Sequence, residues 1–223
     1  IYSPDPFVTT NVLGTFNLIK AIYDYGKVEK FIHISTDEVY GSLNAKESSF
    51  TVDSPYRPNS PYSATKAASD LLVRSYVKTY KLPAIITNCS NNFGPRQNGE
   101  KLIPTCIRKL KNREPIPVYG TGQNVRDWIY VKDHVNCIWD VLETGDVGSQ
   151  YLIGGKNELT NLELIEHIKS VYEDVTNTKI DYDYINYVED RKGHDLRYSI
   201  ETFDYEQKFG QMNLTDFSNA LKT

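Results

Sequence analysis

Three stretches of this sequence hold side chains whose types and spacing could do chemistry. The first is Tyr62-Ser63-Ala64-Thr65-Lys66. Residues four apart on a helix share a face. An ammonium held beside a phenol favours the phenolate and lowers the tyrosine pKa from about 10 toward working pH. Tyr62 then reads as a general base, with Lys66 as its tuner, also able to hydrogen-bond a cofactor ribose. The chain has 17 tyrosines, and the same spacing recurs at Tyr23 and Lys27, interrupted by Gly26. Taken alone, the pair reads more simply as a surface Tyr and Lys on an amphipathic helix.

The second stretch is Ser35-Thr36-Asp37-Glu38-Val39-Tyr40-Gly41, directly after a run of strand character. In open α/β sheets, ligands bind beyond the carboxyl ends of strands. A hydroxyl and two adjacent carboxyls placed there can hold a substrate hydroxyl and do acid and base work, provided their surroundings push the two pKa values apart. The plainer reading is a capped acidic turn. The third stretch, Asn88-Cys89-Ser90-Asn91-Asn92-Phe93-Gly94-Pro95, also follows a strand-like run. Asn91 and Asn92 offer amides suited to a phosphate or ribose, or they belong to a turn of Asn, Gly and Pro.

The elements that must position these groups follow from periodicity. Val12, Leu13, Phe16, Ile19 and Ile22 have helical spacing over 11–25, with Gly26 as the expected cap. Residues 30–35 and 84–88 read as strands, and 42–59 as a loop. Ser60-Pro61 opens a helix to Tyr80. This strand–helix–strand alternation predicts an α/β fold with a parallel sheet. Beyond Gly99 the spacing predicts helices over 102–110 and 131–143, strands over 116–119 and 151–153, and a turn at Gly120-Thr121-Gly122. Thr160 and Glu163 form a capping box for a helix to Val175. Residues 181–188 alternate like an exposed strand, and Thr215 opens a final helix. The spacing leaves open whether the Tyr151 strand returns to the first sheet.

Composition narrows the function. The 223 residues are 39% hydrophobic and 24% charged, so a packed core is expected. A net charge of −4 argues against non-specific nucleic-acid binding, which needs Lys and Arg on phosphates. No apolar run approaches the roughly 20 residues of a membrane helix, and no signal-peptide pattern opens the chain. Cys89, Cys106 and Cys137 lack metal-type spacing and read as reduced thiols of a cytoplasmic protein, and no metal is expected. The chain begins at Ile1 and its one methionine is Met212, so it reads as a partial chain.

The order strand, Thr36-Asp37-Glu38, loop, Tyr62-x-x-x-Lys66 helix, strand, Ser90-Asn91-Asn92-x-Gly94-Pro95 resembles extended short-chain dehydrogenases/reductases. The Thr-Asp-Glu version is similar to the dTDP-glucose 4,6-dehydratase family. So are Glu100-Lys101-Leu102-Ile103-Pro104, Pro117-Val118-Tyr119-Gly120, Val125-Arg126-Asp127-Trp128, Asn161, and Asp190-Arg191-Lys192-Gly193-His194-Asp195. The resemblance covers essentially the whole chain. It implies a Rossmann-like, doubly wound parallel sheet lacking its N-terminal strands, with a smaller α/β C-terminal substrate domain. Residues 1–99 would be the remainder of the NAD-binding domain, and 100–223 would mainly bind the nucleotide sugar. No G-x-x-G-x-x-G occurs among the 13 glycines, so two strand–helix units, roughly 60 to 90 residues, are expected before Ile1. The isolated 223 residues are therefore expected to show little activity.

The resemblance implies roles for named residues. Thr36, Asp37, Glu38, Tyr62 and Lys66 would be catalytic. Thr10, Ser35, Tyr62, Lys66 and Asn92 would bind NAD. Thr36, Asn91, Lys101, Leu102, Pro117, Tyr119, Arg126, Asn161, Arg191 and His194 would bind the nucleotide sugar. Arg126 and Arg191 suit a diphosphate because guanidinium forks bind oxyanions in a bidentate way. Arg126 beside Asp127 also reads as a local ion pair, and His194 as a satisfied structural histidine. A homodimer through helices 11–25 and 61–80 is the implied assembly. Two rivals remain: a nucleotide-sugar epimerase or decarboxylase, needing Tyr62 and Lys66 but not Asp37 and Glu38, and a non-catalytic binding protein derived from the family.

Overall fold

The computed structural model describes residues 3–223. In chain order its elements are α1 (Asp5–Phe7), a π-helical segment (Val8–Gly14), α2 (Thr15–Tyr25), β1 (Phe31–Thr36), a 3-10 turn (Asp37–Tyr40), α3 (Pro61–Tyr80), β2 (Ala84–Cys89), β3 (Asn91–Phe93), α4 (Leu102–Lys111), β4 (Ile116–Tyr119), β5 (Val125–Tyr130), α5 (Val131–Thr144), β6 (Gln150–Ile153), β7 (Glu158–Thr160), α6 (Asn161–Thr176), β8 (Ile185–Val188), α7 (Phe203–Phe209) and α8 (Phe217–Leu221).

The first sheet is parallel, in the order β1-β2-β6. The Tyr151 strand does return to it: Tyr151 pairs with Thr87. Successive strand residues face opposite sides, and β2 shows the consequence. Ile86 packs with Ile19 and Val73 from α2 and α3. Ile85 packs with Cys137, Val141 and Tyr205 from α5 and α7. Helices therefore cover both faces, the doubly wound arrangement that the alternation predicts.

The helix ends obey the local chemistry expected of them. Gly26 caps α2 in the left-handed region, at φ 66°. Ser60 accepts from the Ser63 amide and Ser63 answers at the Ser60 amide, a capping box that starts α3 with Pro61 in its first turn. Thr160 and Glu163 make the same reciprocal pair for α6. Elsewhere the structure departs from the expectation. The first helical run opens at Asp5 and is π-helical through Val8–Gly14. Strands β3, β5 and β7 fall where only motifs or a cap are legible. The final helix is the five-residue α8, capped by Asp216 rather than opened at Thr215, and α7 precedes it.

A second set of strands builds the other wall of the cleft. β3 pairs parallel to β5, and β5 antiparallel to β7, with Val125 opposite Thr160. β4 pairs parallel to β8, setting Tyr119 opposite Val188. A separate core of Phe93, Ile103, Trp128, Leu164, Ile165 and Ala220 supports them. Bridges from Arg197 to Leu43 and Val125, and from Ile200 to Phe50, stitch the 42–59 loop to this wall. Among the described residues no helix is long and apolar enough to cross a membrane.

The two regions meet tightly at Gly155, just after β6. A Cβ there would lie 1.9 Å from the Trp128 carbonyl oxygen. That atom belongs to β5 and cannot swing aside. Gly155→Ala is expected to destabilise the chain by about 3 kcal/mol, read as a lower midpoint in urea. A variant with the wild-type midpoint would refute the close approach.

Candidate active site

β1 and β2 end level with each other, Thr36 opposite Cys89. The turn that follows β1 and the Asn91 strand that follows β2 therefore emerge side by side. Thr36 caps the 3-10 turn by accepting from the Glu38 amide at 3.3 Å and donates its hydroxyl to Asp37 Oδ1 at 3.3 Å. This turn points Asp37 inward, where it is 1% exposed, while Glu38 is only partly buried. Asp37 Oδ2 and Ser35 Oγ are buried without a hydrogen-bond partner.

Burial drives the electrostatics. It pushes the Asp37 carboxyl well above the usual range, with the charges of Glu38 and Asp127 adding to the effect and Arg126 opposing it. Burial also raises Glu38, but Arg126, Lys101 and Arg191 pull it back. The two neighbouring acids thus sit in different fields, as a paired acid and base require.

Tyr62, on the first turn of α3, faces the same place. Its phenol is raised first by burial, then by Glu38, Cys89 and Asp37. This corrects the expected direction: the phenol is raised, and Lys66 is not among the leading charges that act on it. Lys66 donates to the Ile34 carbonyl at 2.8 Å, and burial pulls its own ammonium down. Two of its three donors remain for other partners. Phe7 packs edge-on against the Tyr62 ring, at 5.6 Å between centroids, and Thr10 is exposed on the adjoining π-helical segment.

The opposite wall carries the nucleotide-end candidates. Arg191 lies over the Tyr119 ring, 5.5 Å from its centroid. His194 Nδ1 sits 2.6 Å from Asp190 Oδ1. Lys101 is the exposed N-cap of α4, with Leu102 following it into the helix. Pro117 is half-buried in β4, and Asn161 opens α6. Asn91 lies in β3 opposite Trp128.

Two candidates are placed otherwise than as free ligand-facing groups. Arg126 is buried, with Nη1 donating to the Val125 carbonyl at 2.7 Å and Nη2 to the Asp195 carbonyl at 3.0 Å. Its guanidinium stacks 4.2 Å from the Tyr198 centroid. It is a fixed positive charge with part of its fork committed. Asp127 is not its ion-pair partner, because adjacent strand residues face opposite ways. The Asp127 carboxyl instead accepts from the Gly155 and Asn157 amides at 2.8 and 2.7 Å. The Asn92 amide also turns inward, donating to Cys89 Sγ and the Ser90 carbonyl. Its Oδ1 lies 2.8 Å from His134 Nδ1.

His134, Asp195 and Tyr198 are supporting residues that spacing along the chain does not reveal. Asp195 holds Asn59 from 136 positions away, at 2.6 Å. Only folding brings such residues together. Toward a nicotinamide cofactor, the residues present fit. Ser35 Oγ is a buried polar atom lacking a partner, and Lys66 has uncommitted donors beside it.

Comparison with known proteins comes to the same place. The sequence model of the family described as GDP-mannose 4,6 dehydratase matches residues 1–223. A dTDP-glucose 4,6-dehydratase of Neisseria gonorrhoeae is 44% identical over 235 residues, covering 100% of this chain and 68% of that protein. The crystal structure of the dTDP-glucose 4,6-dehydratase of Streptomyces venezuelae, with NAD and TYD bound, matches with a TM-score of 0.91 at 43% identity. That match covers 99% of this chain and 66% of the other. A UDP-glucuronic acid 4-epimerase from Bacillus cereus, in complex with UDP-glucuronic acid and NAD, matches with a TM-score of 0.86 at 27% identity, over 96% and 66% of the two chains. The chain spans about two thirds of the length of these relatives.

The raised Asp37 carboxyl has a consequence for stability. Its neutral form is favoured on folding, so its contribution is fully present below the unfolded value and is lost as pH rises through the folded one. Asp37→Asn mimics the neutral form. The variant is expected to match wild type near about pH 4 and to become progressively more stable than it as pH rises. Parallel thermal unfolding at several pH values checks this. A gap that fails to widen with pH would mean the carboxyl is not held neutral.

Proposed function

This chain belongs to the GDP-mannose 4,6 dehydratase family, and on that premise we propose that it is the major part of an NAD-dependent nucleotide-sugar 4,6-dehydratase. The substrate is a dTDP- or UDP-glucose, and the products are the 4-keto-6-deoxy sugar and water. One observation carries the reading: Asp37 and Glu38, adjacent in sequence and unequally raised, share one site with Tyr62. A 4-epimerase of the same fold has no need of that acid pair.

NAD, held by Thr10, Ser35, Tyr62, Lys66 and Asn92, would supply a hydride acceptor and donor for the fourth and sixth carbons of the sugar. Tyr62 would take the proton from the fourth hydroxyl once the positive charges of Lys66 and of bound NAD offset the burial that raises its phenol, and Lys66 would also donate to the ribose. Thr36 hydrogen-bonds the sugar. The new ketone acidifies the fifth carbon, and Glu38 removes that proton, since Arg126, Lys101 and Arg191 favour its ionised form, then returns it to the fifth carbon as hydride reaches the sixth. Asp37, whose carboxyl burial pushes well above the usual range, protonates the departing sixth hydroxyl as water. Ser35 completes the cofactor side.

At the nucleotide end, Arg191 and Lys101 bind the diphosphate while Arg126 acts as a fixed charge behind them. Tyr119, backed by Arg191, flanks the base, and Asn91, Asn161 and His194 line the polar shell. The dTDP form is favoured by the names of the relatives. The free thiols Cys89, Cys106 and Cys137 suit a reducing compartment such as the cytoplasm.

The site residues and the substrate are tested together in the complete protein, incubated with nucleotide-glucoses and read by mass for loss of water. Glu38→Gln is expected to lower turnover by about 10² to 10⁴-fold and to slow exchange at the fifth carbon, while Tyr62→Phe blocks an earlier step and prevents both. Turnover of Glu38→Gln at the wild-type rate would refute the assigned base.

The complete protein is a homodimer joined through α2 and α3, whose Leu18, Leu71 and Tyr80 are exposed apolar residues. Light scattering at micromolar concentration should return twice the chain mass, and a monomer mass would refute the assembly.

A further inference from the structure

Behind the reactive cleft lies a buried polar network that the dehydration steps do not use. Asp70 is on α3, one turn beyond Lys66, and is 0% exposed. Its Oδ1 lies 3.0 Å from His33 Nε2 on β1. Its Oδ2 accepts from the Tyr56 hydroxyl at 3.0 Å and from Asn88 Nδ2 on β2 at 3.2 Å. Asn88 Nδ2 also reaches the Thr36 carbonyl at 3.0 Å. Gln150 closes the far side, donating to Asn88 Oδ1 at 2.7 Å and to the Tyr40 hydroxyl at 2.8 Å.

The hydrogen positions in this network are fixed by its acceptors. The Ser69 hydroxyl donates to the Lys66 carbonyl at 2.7 Å, so its oxygen is an acceptor toward His33 Nε2, 3.2 Å away. Asp70 Oδ1, on the other side, is an acceptor as well. His33 therefore carries a hydrogen on Nε2. Both Asp70 oxygens thus accept, Oδ1 from His33 and Oδ2 from Tyr56 and Asn88.

The geometry points to Asp70 as a positioning residue: its carboxylate clamps α3, the carrier of Tyr62 and Lys66, to the end of β1 that delivers Thr36, Asp37 and Glu38, and it is the counter-charge of Lys66. The clamp has three arms, through His33 to β1, through Asn88 to the Thr36 carbonyl, and through Tyr56 to the 42–59 loop. Residues four apart on a helix lie on one face, so Asp70 is one turn from Lys66 and acts on its ammonium through space while each keeps its own hydrogen-bond partners. The negative charge of Asp70 opposes the burial that otherwise favours neutral Lys66. Besides Asp70, the groups acting on Lys66 are Cys89 and the Ile34 carbonyl. Around Asp70 the charged and titratable neighbours are His33, Tyr40, Tyr56, Tyr62, Lys66 and Arg74. This assignment rests on the dehydratase reading for its effect on turnover, but not for its effect on Lys66.

The test uses the complete protein and two readouts. In Asp70→Asn, the Lys66 side chain, followed by its carbon resonance through a pH titration, should lose its proton about one pH unit lower than in wild type. Turnover number for loss of water should fall about tenfold or more, with KM for the nucleotide sugar changed far less, because the arms hold the reactive ends of β1 and α3 and none bonds to Tyr119, Arg191 or Lys101. An unmoved Lys66 midpoint overturns the counter-charge role, and an unmoved turnover number overturns the clamp. A wild-type protein that releases no water from any nucleotide-glucose sinks the dehydratase reading instead, while the Lys66 titration still decides this one. If Asp70→Asn does not fold, Asn88→Ala keeps the carboxylate and cuts its bridge to Thr36. That variant should turn over roughly threefold or more slower at unchanged KM, and a wild-type turnover number in the folded variant overturns the clamp.

Discussion

The parallel pairing of β1 with β2 is the constraint on which the rest of the molecule depends. Because Thr36 stands opposite Cys89, both strands stop at one level and their following loops are forced into the same space. Polar side chains that could not otherwise afford burial are thereby gathered at a strand-end crevice, the place where open α/β sheets take their ligands. The alternation of Ile85 and Ile86 across β2 then holds helices on both faces. One of those helices, α3, brings Tyr62 and Lys66 to the crevice.

Burial and charge are in tension at that crevice. Desolvation is the leading influence on Asp37, Glu38, Tyr62, Lys66 and Arg126 alike. It favours the neutral form of every one of them. What separates their behaviour is the placement of fixed charges from the other wall. Arg126 is held by backbone carbonyls and stacked on Tyr198, so it cannot move away from the acids. Its field, with those of Arg191 and Lys101, reaches Glu38. The second wall therefore sets the charge balance between the two acids.

The backbone makes the same kind of compromise where the two walls join. Gly155 allows β5 to pass against the end of β6 at a distance no Cβ would permit. The Gly155 amide meanwhile satisfies the buried Asp127 carboxyl. A close approach and a buried charge are thus resolved by one residue, and the β5 strand that carries Arg126 is fixed by it.

The chain's residue order already carries the α/β class, the α3 and α6 caps, the Gly26 stop, and the motifs around Asp37, Tyr62 and Asn91. These are local properties: periodicity, a capping pair and residue order are written along the chain. It did not reveal β3, β5 and β7, because strands of three to six residues rich in Asn, Arg, Asp and Glu carry little alternation, and their pairing partners lie far away. Nor did it give the direction in which Tyr62 is perturbed. The Tyr–Lys spacing counts one cation, whereas folding adds burial and the charges of Glu38 and Asp37, which prevail. Tertiary structure alone decided that Arg126 binds carbonyls instead of Asp127, that Asn92 turns inward toward His134, and that Asp195 meets Asn59. Each of those outcomes depends on which groups share a small volume, and that is set by packing between segments distant in the chain.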